Sequence, residues 1–138
     1  MKKILILCTG NSCRSQIAEG YFRKFAGSKA EIFSAGIEAH GLNATAVKVM
    51  KEDQIDISNQ FSKTIGQLKE SDFNYVITVC DNAKESCPIF PSIEKSFHQN
   101  FEDPAKTTGD EEIVMQKFRE VRNQIKTFAR EFVQNHLT

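Results

Sequence analysis

The chain has 138 residues, 40% apolar and 26% charged, and its 18 acidic and 18 basic side chains balance to a formal net charge of zero. That size fits one domain with one core, spanning residues 1–138, and the composition is that of ordinary globular material. The charge balance leaves no global field for nucleic acid or an anionic membrane. No apolar run is long enough for a bilayer, and "MKKILILC" is too short an apolar stretch for a secretory leader, so a cytoplasmic protein is expected.

The first element is "KKILILC", a short run rich in Ile and Leu that suits a buried strand. From Ser15 a helix follows, with Ile17, Tyr21, Phe22 and Phe25 on one face and Gly27 as its stop. "AEIFSAG" reads as a second strand ended by Gly36. "NATAVKVMKEDQ" has helical spacing at Ala46, Val47 and Met50, with Asn43 as N-cap. "TIGQLKESD" reads as a weaker helical segment, and "FNYVITVC" as a third strand from its β-branched content. "DNAKESCPIFPS" reads as a loop with two prolines, "KSFHQN" as a short fourth strand, and "FEDPAKTTGDE" as a loop. From about Glu111 the chain is helical, with Val114, Phe118, Val121, Ile125, Phe128 and Phe132 in steps of four and three.

Strands alternating with helices predict an α/β fold with a parallel sheet. Ligands of such sheets bind beyond the carboxyl ends of the strands. Cys8 after the first strand, Cys80 after the third and the "FEDP" loop after the fourth meet at that edge.

Four cysteines are present: Cys8, Cys13, Cys80 and Cys87. In a reducing compartment such residues are catalytic, redox-active or metal-binding more often than structural. Cys80 and Cys87 have six residues between them, no short zinc spacing occurs, and the three histidines are scattered. Thiol chemistry without a resident metal or cofactor is the expectation.

The segment "CTGNSCRS" can wrap around an oxyanion. The backbone N–H groups of Thr9, Gly10, Asn11, Ser12, Cys13, Arg14 and Ser15 can point inward, and the helix that follows adds the positive end of its dipole. Gly10 is expected to adopt a conformation closed to other residues, and Asn11 tolerates left-handed geometry. Arg14 can grip two oxygens of a tetrahedral anion in a planar fork. The same positive surroundings favour the thiolate of Cys8, so the loop holds a nucleophile and its anionic electrophile together. Ser15 has two readings, a hydrogen bond to Cys8 or a cap for the helix. Cys13 is expected to pack or to donate weakly.

"CTGNSCRSQIAEG", "SAGIEAHGLNATAVKVMKEDQIDISNQ", "VITVCDNAKESCP" and "FEDPA" resemble the low-molecular-weight protein tyrosine phosphatase fold, and within it the thioredoxin-coupled arsenate reductases. The likeness covers nearly the whole chain. It implies a three-layer sandwich: a four-stranded parallel sheet with helices on both faces and the anion loop after the first strand. It implies catalytic roles for Cys8, Arg14, Cys80, Cys87 and Asp103, where the position before a proline alone suggests only a turn. The implied activity is reduction of arsenate to arsenite through a relay from Cys8 to Cys80 to Cys87, serving arsenic detoxification, with the last disulfide reduced by thioredoxin. The implied partners are an arsenate or phosphate oxyanion and thioredoxin, and the chain is expected to be a monomer. The alternative is a tyrosine or small-molecule phosphatase using Cys8, Arg14 and Asp103. Phosphatases of the fold usually carry an aromatic residue after the Asp-Pro pair, where this chain has Ala105. Some members bind a monovalent cation through groups matching Asn11, Glu19 and Ser34 plus an acid, and Lys63 takes that acid's place here. Many relatives also carry a tryptophan before the Asp loop, which this chain lacks.

Overall fold

The structure is a computed structural model that describes residues 1–88, 90 and 93–137. Four parallel strands, β1 (Lys2–Cys8), β2 (Ala30–Gly36), β3 (Tyr75–Thr78) and β4 (Lys95–His98), form one sheet in the order β2-β1-β3-β4. The helices are α1 (Arg14–Ala26), α2 (Ala44–Glu52), α3 (Asp81–Ser86) and α4 (Glu111–His136).

β1 is central, and Ile4, Leu5, Ile6 and Leu7 are all fully buried. Side chains alternate along a strand, so both faces of the sheet are covered there. On one face, Tyr75 and Phe97 pack edge-on against Phe132 of α4. Phe22 of α1 meets Phe128 and Phe132, and α2 packs on α4, so α1, α2 and α4 bear on one another. On the other face Phe33 and Phe90 flank Phe73, and α3 packs against β1 and β3.

Caps define the helix ends. Asn43 Oδ1 accepts from the Ala46 N–H at 3.0 Å, and Asp110 Oδ1 from the Ile113 N–H at 3.0 Å, each satisfying an amide with no partner inside its helix. Gly27 ends α1 with φ +55°. The buried stripe of α4, Phe118, Val121, Ile125, Ala129, Phe132 and Val133, follows the expected period.

Three expectations are corrected. The segment after Cys80 opens with a helix, α3, because Ala83 is fully buried and the Lys84 N–H bonds the Cys80 carbonyl. Asp81 and Asn82 are weak helix formers, but an acid in the first turn suits the helix dipole. Ile89, Pro91 and Ser92 of the predicted loop lie outside the described residues. "TIGQLKESD" yields only a tight 3₁₀ turn at Ile65–Gln67, held by a Thr64–Gln67 capping box. α1 begins at Arg14, with Cys13 rather than Ser15 preceding it and no side-chain cap. Among the described residues, no helix is long and apolar enough to cross a membrane.

Candidate active site

The loop after β1 is held by the segment after β2. The Ile37, Glu38 and His40 N–H groups donate to the carbonyls of Cys8, Thr9 and Gly10, and the Asn43 N–H to that of Ser12. The two chains run so close that a Cβ on Gly36 would lie 2.3 Å from the Glu38 carbonyl and 2.8 Å from the Asn11 nitrogen. At Gly10 the need for glycine is also steric: a Cβ would lie 2.3 Å from His40 Nδ1. The left-handed turn falls on Asn11, with φ +48°, as its tolerance of that geometry allowed, whereas Gly10 has no positive φ and does not adopt the conformation expected of it.

Asn11 is fully buried and organises the loop. Its Oδ1 accepts from the Lys63 N–H at 3.0 Å and from Gln16 Nε2 at 3.1 Å, which fixes its amide orientation. Its Nδ2 donates to Ser15 Oγ at 2.7 Å and to Ser34 Oγ at 3.0 Å. Ser15 Oγ also lies 2.8 Å from the Cys8 sulfur, and toward a thiolate, which can only accept, it is the donor. Of the two readings of Ser15, the bond to Cys8 is the one observed. Cys13 is buried, and that burial, with Asp103 and Cys8 nearby, pushes its thiol up to about 12, so it packs as an inert thiol.

Gln16 was not anticipated. It is fully buried, its Nε2 also reaches the carbonyls of Asn11 and Phe61 at 3.0 Å, and it is met by Gln60 Nε2 at 2.8 Å. Position 16 lies next to the helix start, where a glutamine usually faces water, so no local pattern marks it.

Ser34 passes the hydrogen-bond chain to Glu19 at 2.6 Å. The Lys63 ammonium stands 4.0 Å from Glu19 Oε1 and 3.0 Å from the Phe61 carbonyl. Burial lowers the Lys63 pKa, against the pull of Glu19. Asn11, Glu19, Ser34 and Lys63 thus converge as the resemblance implied. Lys63 brings a positive charge beside Glu19, at the end of the Asn11–Ser34–Glu19 chain of hydrogen bonds.

Arg14 and Asp103 close the opposite wall. Arg14 Nη1 donates to the Phe101 carbonyl at 3.0 Å, and its Nη2 lies 3.7 Å from Asp103 Oδ2. Asp103 Oδ1 accepts from the Ala105 N–H at 3.0 Å, so the turn role is real and the other oxygen is turned toward Arg14. Glu102, the neighbouring acid, instead pairs with Lys117 at 3.0 Å.

Two cavities flank this wall. One, of about 280 Å³, is lined by Cys8, Arg14, His40, Asp103, Ala105 and Lys106. Among the described residues, no phenylalanine or tyrosine lines it. The other, of about 370 Å³, is lined by Cys80, Asp81, Asn82 and Phe101, and it shares Thr9, Arg14, Asp103 and Lys106 with the first. Thr9 Oγ1 lies 3.3 Å from the Cys80 sulfur and accepts from Asn82 Nδ2 at 3.1 Å. Cys87, at the far end of α3, is half-buried, and burial raises its pKa. All four cysteines are free thiols. A larger groove, about 550 Å³, runs past Glu19, Phe61, Lys63 and Leu68, and no cysteine lines it.

A cysteine ending a strand, a backbone loop, an arginine at the following helix and an acid facing that arginine define an oxyanion-binding thiol site. Residues 3–137 match the low molecular weight phosphotyrosine protein phosphatase family, and the chain belongs to it. Within the family it is similar to arsenate reductases. It is 50% identical over 132 residues to one from Halalkalibacterium halodurans, covering 93% of this chain and 95% of that one. It is 47% identical over 133 residues to one from Bacillus subtilis, covering 96% of each. A solved structure of an arsenate reductase in the phosphate binding state superposes with a TM-score of 0.81 at 31% identity, over 100% of both chains.

Proposed function

We propose that this chain reduces arsenate to arsenite with Cys8, Cys80 and Cys87 acting in sequence. The oxyanion sits in the loop Thr9–Ser15, held by the backbone amides and the Arg14 fork. The Cys8 thiolate, stabilised by the Ser15 hydroxyl, attacks arsenic. A sulfur–arsenic bond forms, and one hydroxyl leaves as water with a proton from Asp103.

The Cys80 thiolate then attacks the Cys8 sulfur. The Cys8–Cys80 bond forms while the sulfur–arsenic bond breaks with its electron pair passing to arsenic, which leaves as arsenite. Cys87 attacks Cys80 in turn and frees the Cys8 thiolate, leaving a Cys80–Cys87 disulfide. Thioredoxin supplies the two electrons that restore both thiols.

The second exchange requires movement. Residues 80 and 87 span seven helical steps, roughly 10 Å at about 1.5 Å each. A disulfide needs Cα atoms within about 7 Å, so α3 must unwind. A helix of six residues with one buried side chain is a weak element, which suits that task.

The observation that carries this reading is the shared wall: Cys8 and Cys80 open onto neighbouring cavities joined at Thr9. Among the described residues, the small Ala105 lines the Cys8 cavity where phosphatases of the fold usually carry an aromatic ring, which favours a small oxyanion over a tyrosyl phosphate. The test is NADPH consumption with purified protein and arsenate, coupled to thioredoxin and its reductase or to glutathione and glutaredoxin. Turnover with the first couple supports the reading. Hydrolysis of aryl phosphates without arsenate turnover in either couple overturns it.

A further inference from the structure

The first turn of α3 is fastened by side chains that the relay leaves unused. His98, the last residue of β4, stands opposite Thr78 in the β3–β4 register. Its Nδ1 lies 2.7 Å from Thr78 Oγ1, and its Nε2 lies 2.7 Å from Asp81 Oδ1. A carboxylate only accepts, so Nε2 carries a proton; a hydroxyl gives or accepts, so the Nδ1 contact holds for neutral and protonated rings alike. The Asp81 N–H donates to Asn100 Oδ1 at 3.1 Å, and Asn82 holds the hydroxyl of Thr9 that touches Cys80.

The other half of α3 has no such fastening. Among the described residues, the side chains of Lys84, Glu85 and Ser86 make no hydrogen bond or ion pair. Among the described residues, the one hydrogen bond of the Cys87 sulfur is to the carbonyl of Pro88 at 3.4 Å, and the side chain packs against the edge of the core. Among the described residues, the side-chain hydrogen bonds that fasten α3 thus gather at its Cys80 end, and its Cys87 end is held by packing.

We propose that His98 is a positioning residue for Cys80: with Thr78 and Asp81 it clamps the near end of α3, so that the helix unwinds from the Cys87 end while the Cys80 sulfur stays aimed at Cys8. This rests on the reading of Cys80 as the second thiol. The clamp takes no part in the electron flow. In the step it serves, the Cys80–Cys8 bond forms as the Cys8–arsenic bond breaks with its pair on arsenic. Sulfur–sulfur displacement is sensitive to alignment, and small misplacements of a nucleophile are costly in rate.

The Cys87→Ser background isolates that step, because arsenite can then be released once and no second exchange follows. Single-turnover arsenite release is compared in this parent and after adding His98→Ala, Asp81→Ala or both. Each single change is expected to slow release about three- to tenfold, the scale of one partly exposed charged hydrogen bond. The double change should be no slower than the worse single one, since both break the same clamp. The arsenate concentration giving half-maximal rate should stay unchanged, and His98→Gln, which keeps a donor, should recover part of the rate. Release as fast as in the parent, additive losses, or a shifted half-saturation would overturn the clamp. Asp81 lies on the surface, so its variant carries the test if His98→Ala does not fold. A parent that releases no arsenite overturns the Cys80 reading and the clamp with it, whereas a competent parent matched by its variants overturns the clamp alone.

Discussion

The Ser15 hydroxyl lies 2.8 Å from the Cys8 sulfur, and its oxygen is already receiving a proton from Asn11 at 2.7 Å. A thiolate can only accept, so with Cys8 ionised the serine proton points at sulfur, and that bond is stronger than one to a thiol. Ser15→Ala should slow the first covalent step about ten- to a hundredfold, the scale of one buried hydrogen bond to a charged group. Rapid-quench measurement at saturating arsenate reads it directly. An unchanged rate would leave the loop amides and helix dipole as the sole support of the thiolate.

Arg14→Lys keeps the charge and loses the fork. One guanidinium nitrogen is anchored on the Phe101 carbonyl at 3.0 Å, which orients the plane toward the loop. A lysine offers a point charge and cannot hold both the carbonyl and two anion oxygens. The expected loss in arsenate turnover is about a hundredfold or more, the scale of one lost oxyanion donor. Retention of both oxyanion affinity and rate would refute bidentate binding.

Asp103→Asn should slow formation of the first intermediate by about two to four orders of magnitude, the usual worth of a positioned general acid. An asparagine oxygen can still accept from the Ala105 amide, so the turn survives. Glu102→Gln is the control: it pairs with Lys117 at 3.0 Å and should leave the rate nearly unchanged. Reversal of these two outcomes would transfer the acid role to Glu102.

The relay separates reductase from phosphatase. Cys87→Ser should release one equivalent of arsenite and then stall with a Cys8–Cys80 disulfide, visible by peptide mapping under non-reducing conditions. Cys80→Ser should release little or none. Aryl phosphate hydrolysis, which needs Cys8, Arg14 and an acid, should persist in both. Sustained thioredoxin-linked turnover by Cys87→Ser would sink the three-thiol scheme.

Acid should loosen the junction of α2 with α4. A hydrogen bond from Lys126, then one from Tyr21, holds Asp53 below its ordinary pKa of 3.8. Asp53 is Lys126's partner at 2.8 Å and accepts from the Tyr21 hydroxyl at 2.7 Å. A carboxyl depressed in the folded state binds more protons when unfolded. Its contribution is therefore present above about pH 4 and is lost as pH falls further. Asp53→Asn should lower the melting temperature at pH 7 and flatten its decline below pH 4. Parallel melting curves for the two proteins across that range would exclude the contribution.

Much of the scaffold is written in local patterns. The apolar run of β1, the stripe of α4, the cap Asn43, and the spacing from Cys8 to Arg14 all express forces acting within a turn or two of chain. Propensity, capping and dipole effects have that range, so they can be read one segment at a time. The site's finer assignments lack such a range. Glu102 and Asp103 are adjacent acids, and their local sequence does not say that one meets Lys117 and the other Arg14. Gly10 is required by His40, Gly36 by the loop it crosses, and α3 forms where weak helix formers are held by Thr9, His98 and Asn100. These partners meet only because four strands lie in one parallel register, and a slip of one residue would turn each side chain to the opposite face of the sheet.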